Sequence, residues 1–129
     1  MSLAPIPQRM LHDSAKFYVV KSIDSRYQEK TYDTYEVAHV HLQGSTDTLK
    51  GSDNTEVQLK GVLFVDCRRS APALDLYALQ QQSLAAGDTM RVDVFDASGT
   101  LTGNYAVLNV DGAPDVPATR THHWELGLV

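Results

Sequence analysis

The sequence predicts an all-β domain: a small β-barrel or sandwich of six to seven mainly antiparallel strands, with one short helix near 72–82 and a long polar loop over 43–56. Three observations predict it. Short apolar stretches alternate with period two and are rich in Val, Ile, Tyr and Phe. Turn residues separate them at short intervals. Only one segment, around Leu74–Leu84, carries a ragged helical stripe.

The chain has 129 residues, 43% of them apolar and 21% charged, which suits one domain with a real core and excludes wholesale disorder. Its longest apolar run, Gly61–Val65, is far too short for a membrane helix. The start, MSLAPIPQRML, has no basic beginning and no sustained apolar core, so no signal peptide is expected in it. A single cysteine forbids an internal disulfide and suits a reducing compartment. The formal charge of −5 argues against a protein that grips nucleic acid through its phosphates. It is compatible with one that lets nucleic acid slide past an acidic lining.

Residues 1–12 hold Pro5 and Pro7 and read as an extended arm. Phe17–Ile23 reads as the first strand. Arg26–Tyr35 reads as a turn and an exposed strand. In Glu36–Leu42, Ala38, Val40 and Leu42 are expected on one face, with Val37, His39 and His41 on the other. Gln43–Thr55 is polar and has too few apolar residues to pack itself, so a functional loop is expected there.

Glu56–Asp66 (EVQLKGVLFVD) reads as the central strand. Val57, Leu59, Gly61, Leu63 and Val65 share one face, and Val62 and Phe64 make the other apolar at its far end. Next, Ser70 is a plausible N-cap and Pro72 fits the first turn of a helix ending before Gly87. Met90–Phe95 follows, with Met90, Val92 and Val94 inward. Ala97-Ser98-Gly99 signals a hairpin, Tyr105–Val110 is a strand, and Asp111–Ala118 reads as a loop. The last strand spans His122–Leu128.

Catalytic signals are sparse. His39 and His41 lie at i, i+2, a spacing by which a strand can offer two imidazoles to one ion, with His122 a candidate third from a late strand. The HxH pair resembles the metal motif of cupin barrels, but the Glu expected after it is absent, with only Asp47 in Gln43–Leu49. His122 and His123 are neighbours and are expected on opposite faces. Cys67 beside Arg68 and Arg69 has the setting of an activated thiol, yet a lone Cys at a strand end ordinarily serves as a small buried side chain. No phosphate-binding Gly loop, nucleophile elbow or CxxC occurs. The residues therefore predict no catalytic site, no metal and no cofactor.

A pattern recurs along the chain: Pro5, Pro7 and Leu11; then VQLKGVLFVDCRRSAP from Val57 to Pro72; then Gly87-Asp88-Thr89-Met90; then HHWELGL from His122 to Leu128. With it the sequence resembles the minor capsid proteins of the tailed-phage head–tail junction. Two departures are the inserted Ala73–Ala86 segment and the Arg68–Arg69 doublet. The resemblance implies a head-completion, or stopper, protein: a β-barrel forming a ring, typically a hexamer in that family, between a portal or adaptor ring and a tail terminator or tail tube. Packaged DNA would pass through or be held in its channel. The virion would be its location, with assembly in the bacterial cytoplasm. It implies a channel loop carrying Gly44, Asp47, Lys50, Gly51, Asp53, Asn54 and Glu56. Pro5, Pro7, Leu11, Arg68, Arg69, Tyr77 and His123 become candidates for ring contacts. The alternatives are an adaptor or tail terminator of the same junction and, in a different class, a small metalloenzyme using His39 and His41.

Overall fold

A computed structural model describes residues 10–44, 48–50, 56–67, 70, 74–114 and 121–129. Its strands are β1 (Asp13–Ile23), β2 (Lys30–Gly44), β3 (Thr48–Lys50), β4 (Glu56–Gln58), β5 (Gly61–Asp66), β6 (Arg91–Phe95), β7 (Leu101–Pro114) and β8 (Thr121–Leu128), with one helix, α1 (Leu76–Ala86). Six strands form a closed barrel in the order β1-β2-β5-β8-β7-β6, and β6 pairs back onto β1. Every neighbouring pair is antiparallel. The all-β expectation holds, in its barrel form.

Alternation builds the core. Phe17 and Val19 of β1, Leu63 and Val65 of β5, Val92 and Val94 of β6, and Leu126 and Leu128 of β8 all point inward. A barrel this narrow is filled by its own side chains. Met90, Val92 and Val94 are buried as expected. Leu59, Gly61, Leu63 and Val65 lie on the buried side, while Val62 and Phe64 are half-buried.

Local chemistry makes the turns. Asp24 Oδ1 accepts from the Arg26 and Tyr27 amides at 2.7 and 3.1 Å and bends β1 into β2. Asp96 Oδ1 accepts from the amides of Ser98 and Thr100 at 2.9 and 3.0 Å, and Gly99 supplies a φ of 86° between β6 and β7. These bonds, the Ser98 hydroxyl first, hold the Asp96 carboxyl below its usual range.

Four expectations need correction. The helix begins four residues later than its expected start at 72. Its N-cap is Asp75, whose Oδ1 accepts from the Ala78 amide at 3.0 Å, and not Ser70. Gly87, with φ 127°, closes the other end through bonds to the carbonyls of Leu84 and Ser83. Pro72 lies outside the described residues. The expected apolar stripe is also rotated: α1 buries Leu76, Gln80 and Ser83, and leaves Tyr77 and Leu84 54% and 48% exposed. The central strand is two strands, broken at Leu59-Lys60, where Lys60 N–H turns to the Leu128 carbonyl at 2.8 Å. Finally, Asp111–Pro114 is strand and not loop, because Gly112 lets β7 run beneath Trp124; a Cβ there would sit 3.1 Å from that ring.

A polar network explains why the helix buries Gln80 and Ser83. Gln80 Nε2 donates to the Val107 carbonyl at 3.1 Å, and its Oε1 accepts from the Met90 amide at 2.9 Å. The Ser83 hydroxyl accepts from the Val20 amide at 3.0 Å and donates to the Asp88 carbonyl at 2.9 Å. These backbone groups lie where β1, β6 and β7 reach the helix, and α1 supplies the partners that strands do not. Leu76 completes the contact by entering the core.

Two outcomes follow from this end of the barrel. Gln80→Leu keeps the volume but strands the buried Met90 amide, so the denaturant midpoint falls by the equivalent of about 2 kcal/mol at unchanged m-value. Lys30 bonds the Asp88 carboxylate and is the main reason that its pKa lies below the ordinary value, with the Thr89 amide next. A depressed carboxylate pKa stabilises the fold above the unfolded pKa, and that contribution disappears as pH falls through the folded pKa. Lys30→Ala should raise the Asp88 pKa in an NMR titration and remove part of the stability gained between pH 3 and 5, about the window set by the unfolded carboxylate value.

Candidate functional site: the β3–β4 pair and the histidine face

The described part of the expected channel loop is strand. Gln43 and Gly44 are the last residues of β2, paired to Val62 and Gly61 of β5. Beyond them β3 and β4 form a separate two-stranded antiparallel sheet. Its register sets Thr48 opposite Gln58, Leu49 opposite Val57, and Lys50 opposite Glu56. Asp47, Gly51, Asp53 and Asn54 lie outside the described residues. Within the expected 43–56 loop, Gln43–Gly44, Thr48–Lys50 and Glu56 are strand, between β2 and β5 in the chain.

Its root is tightly packed. A Cβ on Gly61 would lie 3.1 Å from both the Gln43 carbonyl oxygen and Leu42 Cδ1. Glycine here allows β2 and β5 to meet closely where the extension departs. Leu59, 5% exposed, anchors the return strand on the barrel.

Of the ring-contact candidates, Pro5, Pro7, Arg68 and Arg69 lie outside the described residues. Leu11 is 1% exposed within its own chain, which leaves it no surface for a neighbour. Tyr77 stands outward on α1. His123 lies half-buried on β8 beside Phe64 of β5, with ring centroids 6.3 Å apart.

The histidines depart most from expectation, and two bulges are the cause. In β2, Asp13 pairs with Val40 and Ser14 with Ala38, so His39 is an extra residue with φ 60°. The bulge makes Val37 and Val40 both face inward and breaks the predicted alternation. His39 is exposed, and its carbonyl accepts the Ser70 hydroxyl proton. That hydroxyl also accepts from the Asp66 amide at 2.9 Å, and Ser70 N–H returns to the Asp66 carbonyl at 3.1 Å. Ser70 therefore clamps the end of β5 to the β2 bulge instead of capping a helix.

In β8, Ala113 pairs with His123 and Pro114 with Thr121, so His122 is bulged. The two adjacent rings therefore meet instead of pointing apart, with Nδ1 atoms 2.7 Å from each other. His41 stacks on Phe64, centroids 6.1 Å apart, and meets His12 edge-on at 5.7 Å. Asp13 holds this corner, accepting from the Leu42 amide at 3.0 Å and lying 3.1 Å from His12 Nδ1. Four of the five histidines thus gather along one face of β2, β5 and β8, with a hollow of ≈ 250 Å³ lined by Met10, His41, Gln43, Phe64 and His123. Only the HH doublet was a signal in sequence; its convergence depends on the bulge. Among the described residues, no group of three or more His, Cys, Asp or Glu could hold a metal ion. His39 is exposed at the bulge and His41 is half-buried against Phe64. Cys67 is half-buried, and its amide donates to the His122 carbonyl at 3.1 Å.

Comparison with known proteins finds no match to a family model, a curated protein or a solved structure.

The clamp yields a direct outcome. Ser70→Ala leaves the Asp66 amide without its hydroxyl partner and costs about 2 kcal/mol. Amide hydrogen exchange should quicken at Asp66 and at the β2 bulge while the α1 end of the barrel stays protected.

Proposed function

We propose that this chain is a structural protein of the tailed-phage head–tail junction, forming a ring that completes the head and helps to close the DNA channel. The observation that carries this reading is the β3–β4 pair, which leaves a closed barrel at the position where the resemblance has its channel loop. The motif residues of that resemblance support it by their order along the chain: Val57–Pro72, Gly87–Met90 and His122–Leu128.

The mechanism is mechanical. Subunits related by rotation meet through heterologous faces and close a ring. Copies of the β3–β4 pair, held in register strand to strand, converge on the axis. A pair carries shape across the channel better than an unpaired loop, because each strand restrains the other. The acidic balance of the chain, −5 overall, keeps the DNA backbone from adhering to the ring. Tyr77, outward on the charge-free helix α1, is the side chain offered to a neighbouring subunit. The other partners are a portal or adaptor ring on one side and a tail terminator or tail tube on the other.

Two-dimensional image averages of the protein with its cognate portal–adaptor complex test this reading. The expected result is a ring, six-fold in the reading above, whose narrowed central density reopens when 46–54 is deleted. An equally wide channel with and without that segment makes the protein a spacer or terminator. Absence of any ring or binding overturns the junction reading.

A further inference from the structure

We propose that α1 of one copy docks into the hollow on the β2–β5–β8 face of the next, so that the chain joins copies of itself head to tail. The proposal deepens the junction reading by naming the two surfaces that meet, and rests on that reading only for the place of the ring in a virion. Three observations carry it.

The first is charge. A chain of net charge −5 repels its own copies over much of its surface. The helix is an exception, because no residue of LYALQQQSLAA is charged. The hollow is lined by Met10, His41, Gln43, Phe64 and His123, and its imidazoles are either neutral or cationic. The carboxylates near it, Asp13 and Glu125, each lie against an imidazole, 3.1 Å from His12 Nδ1 and 3.4 Å from His123 Nε2. An uncharged helix with the exposed Asp75 at its start therefore meets imidazoles there, and an acidic body is least repelled.

The second is side-chain chemistry. Tyr77 and Leu84 stand outward on α1, two turns and thus about 10.5 Å apart along its axis. The exposed Ala78, Gln81 and Ala85 beside them are short or uncharged. The hollow, ≈ 250 Å³, is walled by the stacked His41 and Phe64 rings, with the exposed Met10 as an adaptable apolar side chain. A tyrosine on one surface and aromatic rings with a methionine on the other is the composition of an interface core, which is poor in charge.

The third is position. In the closed order β1-β2-β5-β8-β7-β6, α1 packs on β1 and β7, the strands on either side of β6. The hollow is centred on β5, three strands from β6 in either direction. One copy cannot fill its own hollow, and each copy carries one surface of each kind. Such an interface is heterologous and propagates until rotation closes a ring. A two-fold contact of α1 with α1 would stop at a dimer and leave both hollows open.

Sedimentation equilibrium and cross-linking of the full chain test this. Self-association is expected to weaken at least about tenfold in Tyr77→Ala. Gln43→Glu, which adds a carboxylate to the hollow, weakens it about threefold. Tyr27→Ala, at another exposed tyrosine, leaves it unchanged. All three positions are exposed, so the variants keep the fold. In a Cys67→Ser background, Gln81→Cys and Gln43→Cys copies are mixed and treated with a short bis-maleimide, both free and on the portal–adaptor complex. Linkage between positions 81 and 43 of different copies is expected. Linkage of 81 to 81 alone assigns α1 to a two-fold dimer and overturns the proposal. So does a lack of linkage in both states. Linkage that appears only after residues 1–9 are deleted gives the hollow to that segment of the chain and overturns it too. Linkage of 81 to 43 without a ring on the portal upholds the docking and defeats the junction reading; a ring on the portal without that linkage does the reverse.

Discussion

Closure of the sheet is the constraint on which the rest depends. β1 pairs with β2 on one side and β6 on the other, so the barrel has no exposed edge among its six strands. A free edge would offer unpaired amides and carbonyls to any passing strand. Closure also forces the inward face of every strand to fill one narrow interior, which is why Phe17, Leu63, Leu126 and Leu128 are fully buried. Each such side chain contributes about 1.5–3 kcal/mol by leaving water. That driving force sets the register, and a one-residue slip would turn the apolar face outward.

Departures from regular pairing are where the barrel acquires its features. The β2 bulge at His39 re-aims the strand and leaves a carbonyl for Ser70. The β8 bulge at His122 brings two imidazoles together. Gly61 and Gly44 meet at the root of the β3–β4 pair, where the chain leaves the barrel and returns. At the other region of special chemistry, Gln80 and Ser83 satisfy backbone groups of β1, β6 and β7. A buried polar helix face is costly unless every partner is present, and here the partners are backbone atoms in fixed positions.

These features also separate two parts of the molecule. One is the region of α1, with its charge-free helix and outward Tyr77 and Leu84. The other is the face of β2, β5 and β8, with its aromatic and imidazole row and the β3–β4 pair beyond it. The first is held by main-chain hydrogen bonds. The second is held by ring stacking and two bulges.

Most of the barrel strands, the hairpin at Ala97-Ser98-Gly99, and the burial of Met90, Val92 and Val94 were legible in the sequence. Each depends on near neighbours: period-two patterning, side-chain capping of a turn, a glycine with positive φ. The helix was legible as a segment but not in its phase, because its buried face is Leu76, Gln80 and Ser83, and hydropathy cannot mark a glutamine that binds backbone. The β3–β4 pair was hidden by polar composition, since its pairing comes from the two chain ends emerging side by side at Gly44 and Gly61. Of the histidine face only the HH doublet was legible, and not its convergence. Its members come from β2 and β8 and the lead into β1, and two bulges undo the alternation that sequence reading assumes. Local chemistry thus determined that this chain makes strands and where they turn. Only the closed barrel, by fixing which strands are neighbours and where one carries an extra residue, decided which side chains meet.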